Sequence, residues 1–76
     1  MFDKKFFGQR IRILRTAKDV PKVTLASLLV VTRTQISDIE NGKSTTSIER
    51  LGQLADFFDV SVDYLMGRTE NPKVNR

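Results

Sequence analysis

KVTLASLLVVTRTQISDIENGK, residues 22–43, predicts two short amphipathic helices joined by a tight turn. Apolar residues recur at helical spacing in each half of this stretch. Thr32 and Gln35 match a capping box, in which the two side chains satisfy each other's backbone amides, so the second helix is expected to begin at Arg33. A turn this short forces the two helices to cross. The expected buried residues are Leu25, Ala26 and Leu29 in the first helix and Ile36 and Ile39 in the second.

One helix is expected before this pair and one directly after it. Helix 1 covers about residues 5–18, and Pro21 then suits the first turn of helix 2, where its missing amide hydrogen is not needed. Thr46 and Glu49 repeat the capping-box pattern and place the start of helix 4. Asp59 ends helix 4. The expected buried residues are Phe7, Ile11, Leu14 and Ala17 in helix 1 and Ile48, Leu51, Leu54, Ala55 and Phe58 in helix 4.

A short fifth helix completes the predicted fold. Ser61 is its cap, residues 62–66 form it, and Gly67 terminates it. Residues 68–76 have no apolar periodicity, so they are expected to form a flexible tail. With no strand pattern or repeat in the sequence, the prediction is an all-α domain of five helices over residues 1–67.

The composition excludes several classes of site. A chain of 76 residues forms one small domain. It has no cysteine and no histidine, so a disulfide, a thiolate or imidazole zinc site and a histidine general base are all excluded. We therefore expect no metal, no cofactor and no enzymatic activity. The missing cysteines fit a reducing cytoplasm. No apolar run approaches the roughly 18 residues of a membrane span, so no membrane association is expected.

Positive charge is concentrated in the first half of the chain. Residues 1–43 contain nine Lys and Arg against four Asp and Glu, whereas residues 44–66 have a net charge of −3. A basic half of this kind suits a polyanion, with DNA or RNA as the leading candidates. An ordinary solvated surface explains the charge alone equally well.

Four segments resemble, in their order and spacing, the DNA-binding domain of the Cro/C1-type (XRE-type) repressors of phages and bacteria. They are GQRIRILR at 8–15, LASLL at 25–29, ISDIENGK at 36–43 and VSVDYLMG at 60–67. The resemblance extends over residues 8–67. It implies a five-helix, lambda-repressor-like fold with the helix-turn-helix at helices 2 and 3. It also implies that helix 3 enters the major groove of double-stranded DNA.

The polar outer face of helix 3 carries side chains suited to reading bases. Residues near the N-terminus of a helix in the major groove reach the base edges. Arg33 can contact guanine through two hydrogen bonds, and Thr34 can meet a thymine methyl group or a polar edge. Gln35 ranks behind both because it also serves the capping box. The candidate base contacts are Arg33, Thr34, Gln35, Ser37 and Asp38.

The expected phosphate contacts lie at two helix starts and at the turn after helix 3. A helix N-terminus offers unpaired amides and the positive end of the helix dipole, which suits Lys22 and Thr32 to phosphate. The Asn41-Gly42-Lys43 turn adds backbone amides and one lysine. Such contacts set register and salt-dependent affinity. The candidate phosphate contacts are Lys22, Thr32, Asn41, Gly42, Lys43, Ser44 and Thr45.

The resemblance also implies a structural ion pair. Members of the family often carry an arginine late in helix 1 that pairs with the glutamate ending helix 3. Arg15 and Glu40 occupy these positions. Loss of one partner would leave a partly buried charge uncompensated, so Glu40→Ala is expected to lower the melting temperature.

The chain departs from the family pattern at several positions. Val30 stands where the family usually has a glycine, which suits a turn through positive φ. Either the turn is reshaped or the strain is tolerated. Lys22 replaces a usual glutamine, which favours phosphate over a shared contact with Arg33. Four apolar residues occupy usually polar or small positions, and they pack either internally, against Phe2 and Phe6, or against a partner. They are Ile13, Val23, Leu28 and Phe57.

Two functions remain in competition. The first is a sequence-specific transcriptional regulator, most simply a repressor, that binds a palindromic operator as a homodimer. The second is a protein-interaction module of the same fold, as in an antitoxin, in which DNA binding is secondary or lost. The expected dimer surface comprises Phe57, Val60, Val62, Tyr64 and Met66.

Overall fold

A computed structural model describes residues 2–74 of the chain. The described residues form five helices and no strand, which confirms the predicted all-α class. The helices are α1 (Lys4–Ala17), α2 (Lys22–Leu29), α3 (Arg33–Glu40), α4 (Ile48–Phe58) and α5 (Val62–Leu65). Helix α3 packs against both α1 and α2, so it is held from two sides while its outer face stays open.

One apolar core unites all five helices. Phe7 and Ile11 of α1 are almost fully buried in it, and so is Leu65 of α5. The remaining core members come from the other helices and from the start of the α4–α5 loop. They are Leu25, Ala26, Leu29, Ile36, Ile39, Leu54, Ala55, Phe58 and Val60. Every expected buried residue of helices 2 and 3 is therefore in the core.

Gly8 allows α1 and α3 to approach very closely. A Cβ atom at this position would lie 2.2 Å from the carbonyl oxygen of Ile39 and 2.7 Å from that of Glu40. Neither carbonyl can move without shifting the end of α3. A glycine is therefore required where α1 crosses the last turn of the helix-turn-helix.

Side-chain caps define the starts of the helices. The Thr32 hydroxyl oxygen accepts from the amide of Gln35, and the Gln35 side chain accepts from the amide of Thr32, so the predicted capping box is present. Ser61 caps α5 as predicted. Asp3 caps α1 by accepting from the amides of Lys5 and Phe6, and α1 therefore begins and ends one residue earlier than expected.

The predicted start of helix 4 is wrong. Ser47, not Thr46, caps α4, and its hydroxyl oxygen accepts from the amide of Arg50 at 3.2 Å. Thr46 and Glu49 have the spacing of a capping box, but the cap forms at Ser47, a preferred N-cap residue that is followed three positions later by Arg50 rather than Glu or Gln. The shift moves Ile48 to the first helical position, where it is 87% exposed rather than buried. Ala17, the last expected core position of α1, is also exposed.

The turn between α2 and α3 keeps its usual shape despite its valine. Val30 adopts the left-handed conformation, with φ 57° and ψ 50°, and caps the end of α2. The amide of Val31 donates to the carbonyl of Ala26 at 2.9 Å, which closes the turn. Of the two predicted alternatives, the strained turn is the one adopted.

The segment 68–74 makes contacts that the prediction of a flexible tail did not include. The Arg10 guanidinium lies between the rings of Phe6 and Tyr64, at 4.6 and 4.0 Å from their centroids, and Nη2 of Arg10 is 2.8 Å from a carboxylate oxygen of Glu70. The amide of Ser61 also donates to the carbonyl of Pro72. The flexibility of the tail stays a prediction, and residues 75 and 76 lie outside the described part.

Burial and hydrogen bonding act in opposite directions on Arg10. Burial lowers the pKa of its guanidinium, but the interactions with Tyr64 and Glu70 raise it and outweigh this effect. The pKa of Arg10 is therefore raised above its ordinary value, and the residue carries its charge inside a largely apolar site.

The four unusual apolar positions do not share one explanation. Leu28 packs against the core. Ile13, Val23 and Phe57 remain 58%, 53% and 40% exposed. Of the two alternatives, internal packing is therefore wrong for Ile13 and Val23. Phe57 packs edge-on against Phe58 with one side open to solvent.

Candidate nucleic-acid interface

Helix α3 presents one face to the core and the opposite face to solvent. Ile36 and Ile39 are 2% and 5% exposed and hold the inner face. Three of the candidate base contacts are exposed and two are half-buried. The exposed ones are Arg33, Thr34 and Gln35, and the half-buried ones are Ser37 and Asp38. The structure therefore places all five along the accessible side of a single helix.

Arg33 and Thr34 are both exposed at the start of α3. Across residues 2–74 neither side chain has a hydrogen-bond or ion-pair partner. Both stand in the first turn of α3, where the amides have no partner within the helix. Their side chains and amides therefore face solvent at the positive end of the helix dipole.

The capping box orients Gln35 without using all of its hydrogen-bonding capacity. The Oε1 atom of Gln35 accepts from the amide of Thr32 at 2.8 Å. This bond leaves the side-chain NH₂ group with two donors. Oγ1 of Thr32 accepts from the amide of Gln35 at 3.1 Å, so the Thr32 hydroxyl proton also remains to be donated. The capping box thus begins α3 and leaves the Gln35 NH₂ group and the Thr32 hydroxyl as available donors.

Lys22 makes a contact that the sequence did not predict. Its Nζ atom donates to the Oγ of Ser37 at 3.1 Å, across the angle between α2 and α3. The sequence predicted that Lys22 contacts a phosphate and that Ser37 contacts a base. In the structure the two residues are hydrogen-bonded to each other. The Lys22 ammonium has three N–H donors, so two remain for other acceptors.

The turn after α3 is braced from within by its own amides. The amides of Asn41 and Gly42 donate to the carbonyls of Ser37 and Ile39, and those of Lys43 and Ser44 both donate to the carbonyl of Asp38. The expectation that the amides of this turn contact phosphate is therefore wrong, because all four are already hydrogen-bonded to carbonyl groups of α3. Gly42 is itself buried, with φ 75°, against Lys5.

Side chains of the same turn remain as phosphate candidates. Lys43 and Thr45 are exposed, and Ser44 is half-buried. The side-chain oxygen of Asn41 accepts from Nη2 of Arg12 at 2.5 Å, which leaves its NH₂ group free to donate. The turn thus offers one full positive charge and several neutral donors on a fixed backbone.

A buried carboxylate lies at the C-terminal end of α3. The side chain of Glu40 is fully buried and its two oxygens accept from Arg15, at 2.6 and 3.2 Å. Arg15 also donates to the carbonyl of Val20, which leads into α2. Arg12 adds a longer contact to Glu40 at 3.5 Å. Sequence reasoning placed Arg15 and Glu40 together and missed Arg12, although Arg12 and Arg15 share a face of α1 by their spacing.

The candidate dimer residues lie on and before α5 with unequal exposure. Phe57 and Val62 are 40% and 37% exposed, and Tyr64 and Met66 are half-buried. Val60 is 6% exposed and belongs to the core, so its place in the expected dimer surface is wrong. Val60 follows the turn at Asp59, whose φ of 54° directs the chain back into the domain.

Residues 2–74 contain neither a candidate metal cluster nor a helix that could cross a membrane. No group of three or more acidic, cysteine or histidine side chains there is placed to hold a metal ion. None of the helices in this range combines the length and the apolar character that a bilayer crossing requires.

Comparison with known proteins identifies a relationship over most of the chain. Residues 11–65 match the helix-turn-helix family. The chain is 38% identical over 64 residues to the HTH-type transcriptional activator BcrR of Enterococcus faecalis, which covers 84% of this chain and 31% of BcrR. The chain also covers less than two thirds of the length of three further curated relatives.

Two solved structures have the same architecture. The restriction-modification controller protein C.AhdI of Aeromonas hydrophila superposes with a TM-score of 0.72 at 36% identity, over 83% of this chain and 96% of that one. The P22 c2 repressor, in complex with a synthetic operator, gives a TM-score of 0.74 at 28% identity, over 80% and 92% of the two chains. With residues 11–65 matched and α3 exposed between α1 and α2, the chain belongs to the Cro/C1-type (XRE) helix-turn-helix family of DNA-binding transcriptional regulators.

Proposed function

We propose that this protein is a cytoplasmic repressor that binds a palindromic DNA operator as a homodimer. The observation that carries the proposal is the outer face of α3, where Arg33 and Thr34 are exposed and unpartnered and Gln35 holds its NH₂ group outward. A major groove about 12 Å wide admits one helix in this orientation. The operator complex of the P22 c2 repressor, whose fold this chain shares, supports DNA as the partner.

The proposed roles divide the interface into base reading and positioning. Arg33 contacts guanine, Thr34 a thymine edge, and Gln35, Ser37 and Asp38 the neighbouring bases. Lys43 and the side chains around it contact phosphate and determine the register of α3 in the groove. The internally bonded turn supports this role because it fixes the backbone from which the Lys43 side chain extends.

Dimerisation supplies the affinity that a single helix-turn-helix lacks. Two copies related by a two-fold axis place their α3 helices on half-sites about one helical turn apart. Phe57 and Val62 are the exposed apolar residues at the α4–α5 end of the domain, and we assign the dimer contact to them and to Tyr64 and Met66. A repressor of this kind acts by covering a promoter.

Selection of bound sites from random double-stranded DNA tests this function. We expect an enriched sequence with two-fold symmetry, and binding that weakens steeply as salt increases. Arg33→Ala should relax the enriched sequence at the base pair that Arg33 contacts in each half-site. Arg68→Ala is the matched control, because it removes the same charge from an exposed position outside the interface and should leave the enriched sequence unchanged.

Two further measurements separate the remaining alternatives. Transcription in vitro from a promoter that contains the selected site should decrease if the protein is a repressor and increase if it acts as BcrR is named to act. The exposed Ile13 and Val23 favour the interaction-module alternative. That alternative would lead if no sequence were enriched and neither Arg33→Ala nor Lys43→Ala changed binding to mixed DNA.

A further inference from the structure

We propose that Lys22 is a specificity-determining residue, which acts by fixing the polarity of the hydrogen bond that Ser37 offers to a base. The proposal rests on the proposed DNA-binding function and assigns α3 a chemical preference at one position. It starts from the contact of 3.1 Å between Nζ of Lys22 and Oγ of Ser37.

The chemistry of the pair leaves only one direction for this hydrogen bond. A lysine ammonium has three donors and no acceptor, whereas a serine hydroxyl has one proton and two lone pairs. Ser37 therefore accepts from Lys22 and keeps its own proton. Both residues are half-buried, so the positive charge is only partly screened at the hydroxyl.

The Ser37 proton has no acceptor inside the domain. A serine or threonine within a helix commonly donates back to a carbonyl one turn earlier. Thr16 in α1 does so, with Oγ1 at 2.8 Å from the carbonyl of Arg12. Among the described residues the Ser37 side chain has only its bond to Lys22. Its proton therefore points to whatever approaches the outer face of α3.

The Lys22 charge also makes Ser37 a poor acceptor for a base. A second donor approaching Oγ would come close to the ammonium that already occupies one lone pair, and the two positive hydrogen atoms would repel each other. Hydrogen bonds in a chain also polarise one another, so Ser37 becomes a better donor by accepting from Lys22. Ser37 is thus set to donate rather than to accept.

The preference follows from the pattern of groups in the major groove. Guanine and adenine present an N7 acceptor there, guanine adds O6, and thymine presents O4. Cytosine presents only its amino donor. The base that Ser37 contacts is therefore guanine, adenine or thymine, and cytosine is rejected. The remaining Lys22 protons face the phosphate backbone, which links base reading to the position of the strand.

Binding of the selected operator with each of the four bases opposite Ser37 tests the proposal. We expect the wild-type protein to bind the cytosine version roughly threefold to tenfold more weakly than the best of the others, the range for one hydrogen bond. Lys22→Met keeps the length of the side chain and should reduce this ratio to below about twofold, because Ser37 can then accept. Lys43→Met is the matched control: it should weaken all four sites equally and preserve the ratio.

The double variant and the free protein give independent checks. In the Ser37→Ala background, Lys22→Met should leave the base ratios unchanged. In the free protein, the NMR signal of the Lys22 ammonium should shift on Ser37→Ala, and thermal unfolding should show that each variant folds. The proposal would be overturned if Lys22→Met kept the full difference in affinity between the best site and the cytosine site, or if the ammonium signal did not shift. Either result would leave the proposed DNA-binding function standing. Absence of any enriched operator would instead overturn the proposed function and this proposal with it.

Discussion

Nε of Arg15 donates to Oε2 of Glu40 at 2.6 Å, and this bond connects the last turn of α1 to the end of α3. Glu40 is fully buried, and Arg15 is mostly so. Since Arg15 also donates to the carbonyl of Val20, one guanidinium connects α1, α3 and the segment that leads into α2. The buried carboxylate of Glu40 therefore helps to hold α3 against α1.

Removal of that carboxylate should be strongly destabilising. In Glu40→Ala, Arg15 keeps its charge in a partly buried site and loses its partner, which typically costs about 3–5 kcal/mol of the free energy of unfolding. Urea denaturation followed by circular dichroism measures the loss. Glu49→Ala is the control, since Glu49 is exposed and the change should stay within about 0.5 kcal/mol. Equal effects of the two substitutions would contradict a structural role for the pair.

Alanine at two glycines of the chain should have opposite effects. Gly8→Ala places a Cβ against the carbonyl of Ile39 and should lower the free energy of unfolding by about 1–3 kcal/mol or more. Gly52 lies within α4 with open space around its Cα, so Gly52→Ala should raise it by roughly 0.5–1 kcal/mol through helix propensity. Thermal unfolding of both variants measures the signs, and a stable Gly8→Ala would refute the close crossing of α1 and α3.

Relief of strain at Val30 should stabilise the domain. Val30 is 84% exposed, so glycine loses little packing there and removes a left-handed conformation that costs a side-chain-bearing residue about 1–2 kcal/mol. Val30→Gly should raise the free energy of unfolding by about 1 kcal/mol after the entropy of the added glycine is counted. Val23→Gly, at an exposed position inside α2, should instead lower it by up to about 1 kcal/mol. The prediction fails if both variants lose stability alike.

The Arg10 site should depend on its rings far more than on its ion pair. The Glu70 side chain is 85% exposed, so Glu70→Gln should cost less than about 1 kcal/mol. Arg10→Ala removes contacts with Phe6 and Tyr64 from a buried position and should cost about 2 kcal/mol or more. Chemical denaturation of both variants compares the two. An effect of Glu70→Gln as large as that of Arg10→Ala would show that the segment 68–74 carries the stability instead.

The two positive residues of the interface should differ in how they affect DNA binding. Lys43→Ala should reduce the slope of log affinity against log salt concentration by about 1.8, the value for two phosphate contacts, one from each copy in the dimer, without changing base preference. Arg33→Ala should instead lower discrimination at one base pair, by an amount that corresponds to about 1–3 kcal/mol. Fluorescence anisotropy over a salt series, on the selected operator and on a version with that base pair changed, separates the two effects.

Local rules were enough to predict the helix-turn-helix itself. The capping box of Thr32 and Gln35 involves residues three apart, and the two faces of α3 follow from helical periodicity, so both are encoded within a few neighbouring residues. The positions of Ile36 and Ile39 inside, and of Arg33 and Thr34 outside, needed no knowledge of the other helices. The same local pattern failed at Thr46 because Ser47, another preferred N-cap residue, caps α4 without a capping box.

The sequence by itself therefore determined the five helices, their order and the face of α3 that is free for DNA. Only the tertiary structure decided that Lys22 bonds Ser37, that Arg12 joins Arg15 at Glu40 and that Val60 is buried while Ile48 is not. The physical reason is the range of the interactions. Caps and periodicity act within one or two turns, whereas a contact between side chains of different helices depends on the angle and distance at which the packed core holds those helices.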